Sequence, residues 1–223
     1  MAKKVKFLAV KENKHPFSER KKNPKSYCIF HFFERLYIMY SSIYIMTQKE
    51  EYAFIKGDRI NLVPLNFDHL ALYDKWGNDE DFRRYCRFFF PRSTEEVKNW
   101  FTASVKSTNY YSFEVWHKED KKPIGTCNLH CISWINRTAE LGTFIGEQDY
   151  WGKGLGTEMI ILLTKYAFQE LNLRKLKAGI FSPNLGSQKA FKKAGYHVEA
   201  TLKKEVYVDG EYVDIYNHVK YNE

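Results

Sequence analysis

Gln148-Asp-Tyr-Trp-Gly-Lys-Gly-Leu-Gly-Thr157 joins two stretches of different periodicity. Before it, Thr138–Ile145 alternates as a strand does, with Glu140, Gly142 and Phe144 on one face and Ala139, Leu141, Thr143 and Ile145 on the other. After it, Gly154–Leu171 repeats apolar residues at helical spacing. Leu155, Met159, Leu162, Leu163, Tyr166 and Ala167 are expected inside, and Glu158, Lys165 and Gln169 outside. Gly152, Gly154 and Gly156 let backbone N–H groups approach a ligand without Cβ obstruction. The helix start adds about half a positive charge and unpaired donors. Together these make an anion cradle, most naturally for a pyrophosphate. The G-x-G-x-G spacing excludes a Walker loop, which needs G-x-x-x-x-G-K-[ST]. It also excludes a Rossmann loop, which needs G-x-G-x-x-G after a first strand. Taken alone, three glycines serve equally well as a tight strand-to-helix turn.

Working outward, Arg59–Leu65 reads as a first strand and Phe67–Trp76 as a short amphipathic helix in which Leu70, Leu72 and Tyr73 pack. Asp79–Phe90 is aromatic and basic, and Pro91 ends it. Ser93 or Thr94 caps the next helix, with Ser93-x-x-Glu96 as a capping box and Val97, Trp100, Phe101 and Val105 as its apolar stripe. Tyr111–Trp116 and Pro123–Ile132 read as strands. Beyond the glycine loop, Lys175–Phe181 is strand, and Asn184–Ala194 is a helix stopped by Gly195. Tyr196–Val208 and Glu211–Lys220 form a hairpin about Asp209-Gly210. The expected fold is α/β, one layered domain with a mixed sheet.

The order strand, glycine turn, long helix, strand, then N-x-x-S opening another helix resembles the GNAT superfamily of acetyl-CoA-dependent N-acetyltransferases. That family's turn carries [QR]-x-x-G-x-[GA], and here Trp151-Gly-Lys-Gly154-Leu-Gly156 stands in its place. Trp for the usual Gln or Arg is similar to the RimJ/RimL-like branch. The likeness continues through Ala139–Gly146, Tyr166–Ile180, Asn184–Tyr196 and the final hairpin, and upstream through NDEDFRRY and PRSTEEVKNWF. It covers roughly Phe54 to Tyr221. The C-terminal half is also similar to spermidine acetyltransferase. The resemblance implies a mainly antiparallel sheet flanked by helices. Its central strands, Thr138–Ile145 and Lys175–Phe181, would splay to admit the pantetheine arm of acetyl-CoA.

The resemblance also implies roles. Backbone groups of Thr143–Gly146, including Phe144 and Ile145, would meet the pantetheine. The amides of Trp151, Gly152, Lys153, Gly154, Leu155 and Gly156, with Thr157 beside them, would hold the pyrophosphate. Asn184 would bond the arm, or simply cap its helix, and Ser187 would face the thiol. Glu140 is the candidate base, with a salt bridge on the sheet face as its alternative. The family's tyrosine acid has no counterpart, because position 191 is Phe, and Tyr196 comes five residues too late to take the role. Trp76, Phe82 and Tyr85 would wall the acceptor site. Arg83, Arg84, Arg87 and Arg92 would repel a polycation, which favours a peptide N-terminus or a neutral-to-acidic small amine over a polyamine. A non-catalytic acetyl-CoA-binding module is the competing class.

Composition sets the frame. The chain has 223 residues, 44% hydrophobic and 17% aromatic, which excludes wholesale disorder. Its formal charge of +8 is uneven: residues 1–46 carry a net +7 and residues 47–223 a net +1. The near-neutral domain therefore argues against a nucleic-acid-binding fold. Residues 1–46 read as an extension, basic and then aromatic-apolar, either accessory or an over-extended start ahead of Met46. Tyr27–Met46 resembles a signal anchor, but Glu34 and Arg35 lie near its middle, each costing about 2.5–3.5 kcal/mol at a bilayer centre. That argues against a span and leaves a peripheral membrane contact through residues 27–46 as the weaker option. Cys28, Cys86, Cys127 and Cys131 show no C-x-x-C spacing and read as buried free thiols in a reducing cytoplasm. Strand alternation puts Cys127 and Cys131 on one face and His130 on the other, which argues against a zinc cluster of those three. No metal is expected, and the assembly is expected to be a monomer or homodimer.

Overall fold

The computed structural model describes residues 52–86 and 90–222. The expectations for residues 1–46, and for Arg87 within the arginine group, lie outside the described residues. Eight strands form one sheet: β1 (Ile55–Lys56), β2 (Ile60–Pro64), β3 (Tyr111–His117), β4 (Lys122–Ser133), β5 (Thr138–Ile145), β6 (Lys175–Phe181), β7 (His197–Val208) and β8 (Glu211–Tyr221). Their spatial order is β1-β2-β3-β4-β5-β6-β8-β7. Every neighbouring pair is antiparallel except β5 and β6. The helices are α1 (Leu70–Asn78), α2 (Glu80–Cys86), α3 (Thr94–Lys106), α4 (Leu155–Gln169) and α5 (Leu185–Lys193).

Alternation along β5 divides the molecule into layers. Ala139 and Leu141 enter the main core, where Leu155, Met159, Ile160, Leu163 and Ala167 of α4 pack. Phe144, on the other face, packs against the cluster of Tyr73, Trp76 and Val97 on α1 and α3. The sheet is thus covered on both faces. Among the described residues, no helix is long and apolar enough to cross a membrane.

The local signals hold at most boundaries. Ser93 accepts from the Glu96 N–H, and the Glu96 carboxylate accepts from the Ser93 N–H at 2.7 Å, which completes the capping box. Ser93→Ala is expected to lower stability by about 1 kcal/mol, read as a small fall in the thermal midpoint with the unfolding still cooperative. Asp209 and Gly210 both have positive φ, 51° and 89°, as a two-residue hairpin of this hand requires. Gly195, at φ 85°, ends α5.

Several expectations need correction. Val105 is 67% exposed rather than part of the α3 stripe, because the helix ends against solvent at Ser107. The short strand β1 and the helix α2 carry no periodic signal long enough to read. Phe67–His69 is a 3-10 turn that precedes α1. Glu158 does not point to open solvent: it accepts from the backbone N–H groups of Arg59 and Ile60 and from the Arg59 guanidinium. Cys127 and Cys131 do not share an environment. Cys127 is fully buried and Cys131 exposed, because the register with β5 breaks between His130 and Ser133 and Cys131 takes φ 50°.

One buried carboxylate stiffens the layer of α1. Glu114 on β3 has no exposure, and its Oε1 accepts from the Tyr73 hydroxyl, the Asn66 N–H at 3.0 Å and His69 Nδ1 at 2.8 Å. Burial and the Glu114 charge push the Tyr73 hydroxyl well above its ordinary value, so it stays protonated as a donor. Glu114→Ala strips an acceptor from three donors at once. The expected loss is about 3–5 kcal/mol, a fall of roughly 6–20 °C in thermal midpoint for a chain of this size, read by calorimetry.

Candidate active site

The parallel pairing of β5 with β6 lasts only three residues: Thr138 with Lys175, Ala139 with Leu176, and Glu140 with Lys177. β5 then runs on to Ile145 and β6 to Phe181 without pairing, so the strands part. A cavity of about 450 Å³ fills the gap. Its wall includes Glu140, Gly142 and Phe144 from β5, Gly179 and Phe181 from β6, and Asn184, Ser187 and Phe191 at the start and face of α5. The splay follows from the sequence at the junctions: β6 must turn at Pro183 into α5, while β5 continues into the glycine loop.

The residues expected to serve the acceptor end come together here. Trp76, Phe82 and Tyr85 all line the cavity. Phe144 lies between two of them, its ring centroid 5.9 Å from Trp76 and 3.9 Å from Phe82. The Trp76 indole donates to Glu147 at 2.8 Å, which ties α1 to the end of β5. Arg92 also lines the wall, whereas Arg84 is turned toward Asp209, with Nε 3.0 Å from its carboxylate. Cys86 lines the cavity too, but burial pushes its thiol up to about 12, so it is no nucleophile.

Glu140 sits at the point of divergence, with Lys177 Nζ 3.3 Å from its carboxylate. The ion pair expected as the alternative for Glu140 is present, and the residue also lines the cavity. Directly opposite, His130 on β4 is its register partner and also lines the wall. Burial pushes the His130 imidazole below its ordinary value, with the Lys177 charge acting the same way and Glu140 opposing. Asn184 caps α5, its Oδ1 accepting from the Ser187 N–H at 3.0 Å, and still reaches the cavity wall. Phe191 is 2% exposed and packs edge-on against Tyr196 at 5.0 Å. Tyr196 is no substitute acid: its hydroxyl is bonded to Thr164 at 2.7 Å, and burial pushes it well above its ordinary value.

The glycine loop is built separately from the cavity, and residues Trp151 to Thr157 are not in its wall. Gly154 is the N-cap of α4 at φ 83°, and Gly152 has φ 72°. A Cβ at Gly152 or Gly156 would meet nothing within 4 Å, so this backbone faces open space, as an anion cradle needs. The Leu155 side chain is buried in the core, which leaves only its backbone for a ligand. The Trp151 indole donates to the Ile145 carbonyl at 2.8 Å, so that carbonyl is already engaged and Trp151 braces the strand end. Lys153 lies over the Tyr150 ring, and Tyr150 in turn bonds Asp120.

Three participants gave no local sequence signal. Arg59 holds the loop by donating to the Lys153 carbonyl at 2.8 Å and pairing with Glu158 at 2.9 Å, yet it is more than ninety residues away in sequence. Burial works against the ionised Glu158, but the Arg59 and Ile60 N–H groups and the Arg59 charge hold its carboxyl below the usual range. Asn128 lines the cavity with a buried Oδ1 that has no partner. His130 could have been found only by pairing β4 against β5.

Residues 59–197 match the family described as the acetyltransferase (GNAT) domain. The chain is 37% identical over 105 residues to the probable N-acetyltransferase YjcK of Bacillus subtilis (strain 168), a match covering 47% of this chain and 58% of that protein. An uncharacterized N-acetyltransferase, p20 of Bacillus licheniformis, matches at 32% with the same coverage. The chain thus spans a little over half the length of these two relatives. Spermidine N(1)-acetyltransferase of Escherichia coli (strain K12) is 28% identical over 69% of this chain and 81% of its own. The fold is similar to that of Vibrio cholerae spermidine N-acetyltransferase, solved with CoA and spermine, at TM-score 0.69 and 23% identity, over 74% of this chain and 97% of that one. With more than half of its length matched to the domain, the chain belongs to the GNAT acetyltransferase family.

Proposed function

We propose that this chain transfers an acetyl group from acetyl-CoA to a primary amine, by direct attack of the amine on the thioester, and that residues 47–223 form the catalytic unit. The observation that carries this is the cavity opened where β5 leaves β6, with Glu140 at the last β5–β6 pair and Asn184 and Ser187 also in its wall. The loop amides from Trp151 to Gly156 would hold the pyrophosphate, and the unpaired edges of β5 and β6 would receive the pantetheine arm. Arg59 keeps the loop in register. When bound, acetyl-CoA supplies an activated acyl carbon.

This chain's residues do the rest. Glu140 takes the proton that the attacking amine gives up. A backbone N–H near Phe144–Ile145 stabilises the oxyanion of the tetrahedral intermediate. As the C–S bond breaks, Ser187, or a water it holds, protonates the departing sulfur. Trp76, Phe82 and Tyr85 exclude water around the amine, and Asn128 Oδ1 offers an acceptor to its N–H.

For the acceptor we favour a protein N-terminus or a small neutral-to-acidic amine, in keeping with a RimJ/RimL-like place in the family. Arg92 in the wall supports this reading. A polyamine is the second reading. Its support is the pairing of Arg84 with Asp209, which offsets part of the positive charge, and the names of the spermidine acetyltransferase relatives. A panel of peptides, amino acids and polyamines, assayed for free CoA release, decides between them. Faster turnover with spermidine than with any peptide would overturn the N-terminal preference. Tight acetyl-CoA binding with no turnover on any acceptor would replace the enzyme by a binding module.

A further inference from the structure

Successive residues on a strand point to opposite faces, so His130 and Cys131 should be separated by the sheet. They are not. His130 pairs with Glu140, and the next aligned pair is Ser133 with Thr138, so two residues of β4 stand opposite one of β5. This is a β-bulge, and such bulges re-aim side chains. With Cys131 at φ 50°, its Sγ comes 3.4 Å from Nδ1 of its own neighbour, His130. Glu140 faces them across the ladder, and one ligand atom from each of the three lies within 4.8 Å of the others.

We propose that His130, Cys131 and Glu140 form a site for a divalent cation of the zinc class beside the cavity wall, where β5 and β6 part, and that its occupation inhibits acetyl transfer. The inhibitory half rests on the acetyltransferase reading; the binding half does not. Thiolate, imidazole and carboxylate together are a borderline-soft donor set, which suits zinc and discriminates against magnesium or calcium. Zinc bonds of about 2.0–2.3 Å in tetrahedral geometry place neighbouring ligand atoms roughly 3.3–3.7 Å apart. The His130–Cys131 separation already meets that edge length. The two edges to Glu140 are within 4.8 Å and must shorten by up to about 1 Å, a distance that a turn of its carboxylate can cover.

Lys177 opposes binding, since its ammonium lies 3.3 Å from Glu140, but it is 42% exposed and can swing into solvent. Cys127, the thiol that strand alternation would have paired with Cys131, is fully buried in the core and takes no part. Three protein ligands leave a fourth position for water, so the metal is exchangeable rather than structural. Bound there, it would occupy the carboxylate that otherwise receives the amine proton.

Cobalt(II) titrated into the full chain under chelator-free reducing conditions tests the binding half. One equivalent is expected to give a thiolate-to-cobalt charge-transfer band with tetrahedral d–d absorption, both lost on adding zinc. Cys131→Ser should abolish the charge-transfer band, and His130→Gln should weaken binding at least about tenfold. Cys28→Ser and Cys86→Ser should keep the spectrum. Absence of the band in wild type, or its persistence in Cys131→Ser, overturns the site. For the inhibitory half, zinc should suppress CoA release by wild type and a chelator should restore it, while Cys131→Ser should turn over normally and resist zinc. Cobalt binding as expected, with turnover untouched by zinc, would overturn the inhibition and leave the site standing. A chain without turnover on any acceptor would defeat the acetyltransferase reading, and with it the inhibition, while cobalt would still decide the site.

Discussion

Gly156→Val is expected to abolish acetyl-CoA binding while leaving the fold intact. A Cβ at this position meets nothing within 4 Å, and the residue lies in the first turn of α4, so the side chain itself is accommodated. Valine is also a better helix residue than glycine, by a few tenths of a kcal/mol. The only partner left to crowd is a ligand against the loop amides. Gly154→Val is a poorer test, because φ 83° would strain a β-branched residue whether or not a ligand binds there. For Gly156→Val we expect affinity to fall at least about a hundredfold, roughly 2.8 kcal/mol. Calorimetric titration measures this directly. A second reading is thermal: acetyl-CoA at a hundred times its Kd should stabilise wild type by about 2.7 kcal/mol and the variant hardly at all. Affinity within about threefold of wild type, with an unchanged circular dichroism spectrum, would move the pyrophosphate elsewhere.

The parts of this architecture legible in the sequence are those written in local periodicity. The switch from alternation in Thr138–Ile145 to helical spacing after Gly154 marks β5 and α4, and the Asp209-Gly210 turn marks the last hairpin. The capping box at Ser93 needs only four residues to be recognised. The helix α2 was not legible, since seven residues with mixed aromatic and basic side chains and no buried stripe give no period to read. Long-range pairing was illegible for a different reason. Arg59 braces the glycine loop across more than ninety residues, and nothing in its neighbourhood encodes that partner. The bulge at Cys131 shows a third kind of limit: alternation is the default, and a single residue at positive φ reverses every inference drawn from it. The loop residues and the cavity residues, read as one site, form two adjoining parts, with the Phe144 ring wedged between Trp76 and Phe82 on the cavity side.

Glu140→Gln is expected to cost more turnover than any other single change in the cavity wall. The carboxylate stands where β5 and β6 part, and the neutral amide keeps its shape while removing the proposed proton acceptor. Positioned acid–base groups contribute about 10²–10⁴-fold, so CoA release at saturating acetyl-CoA should fall by roughly that factor, with acetyl-CoA affinity unchanged. The pH profile tells this apart from a structural loss. An attacking amine must be neutral, and a peptide N-terminus titrates near 7.7–8.0, so wild-type turnover should rise as pH approaches 8. With the acceptor carboxylate gone, hydroxide or water must take the proton, and the plateau above pH 8 should give way to a shallower rise that continues. The leaving group provides the complementary experiment. A free thiol titrates near 8.5, so thiolate departs tolerably without a protein acid, and Phe191 at the family's tyrosine position predicts slow but real turnover. Phe191 lies in the cavity wall beside Ser187, so Phe191→Tyr adds a hydroxyl on the side where sulfur would depart and should speed CoA release. Ser187→Ala should slow it. Unchanged rates in Glu140→Gln, Phe191→Tyr and Ser187→Ala together would place the reacting atoms outside the β5–β6 gap, among the aromatic residues of α1 and α2.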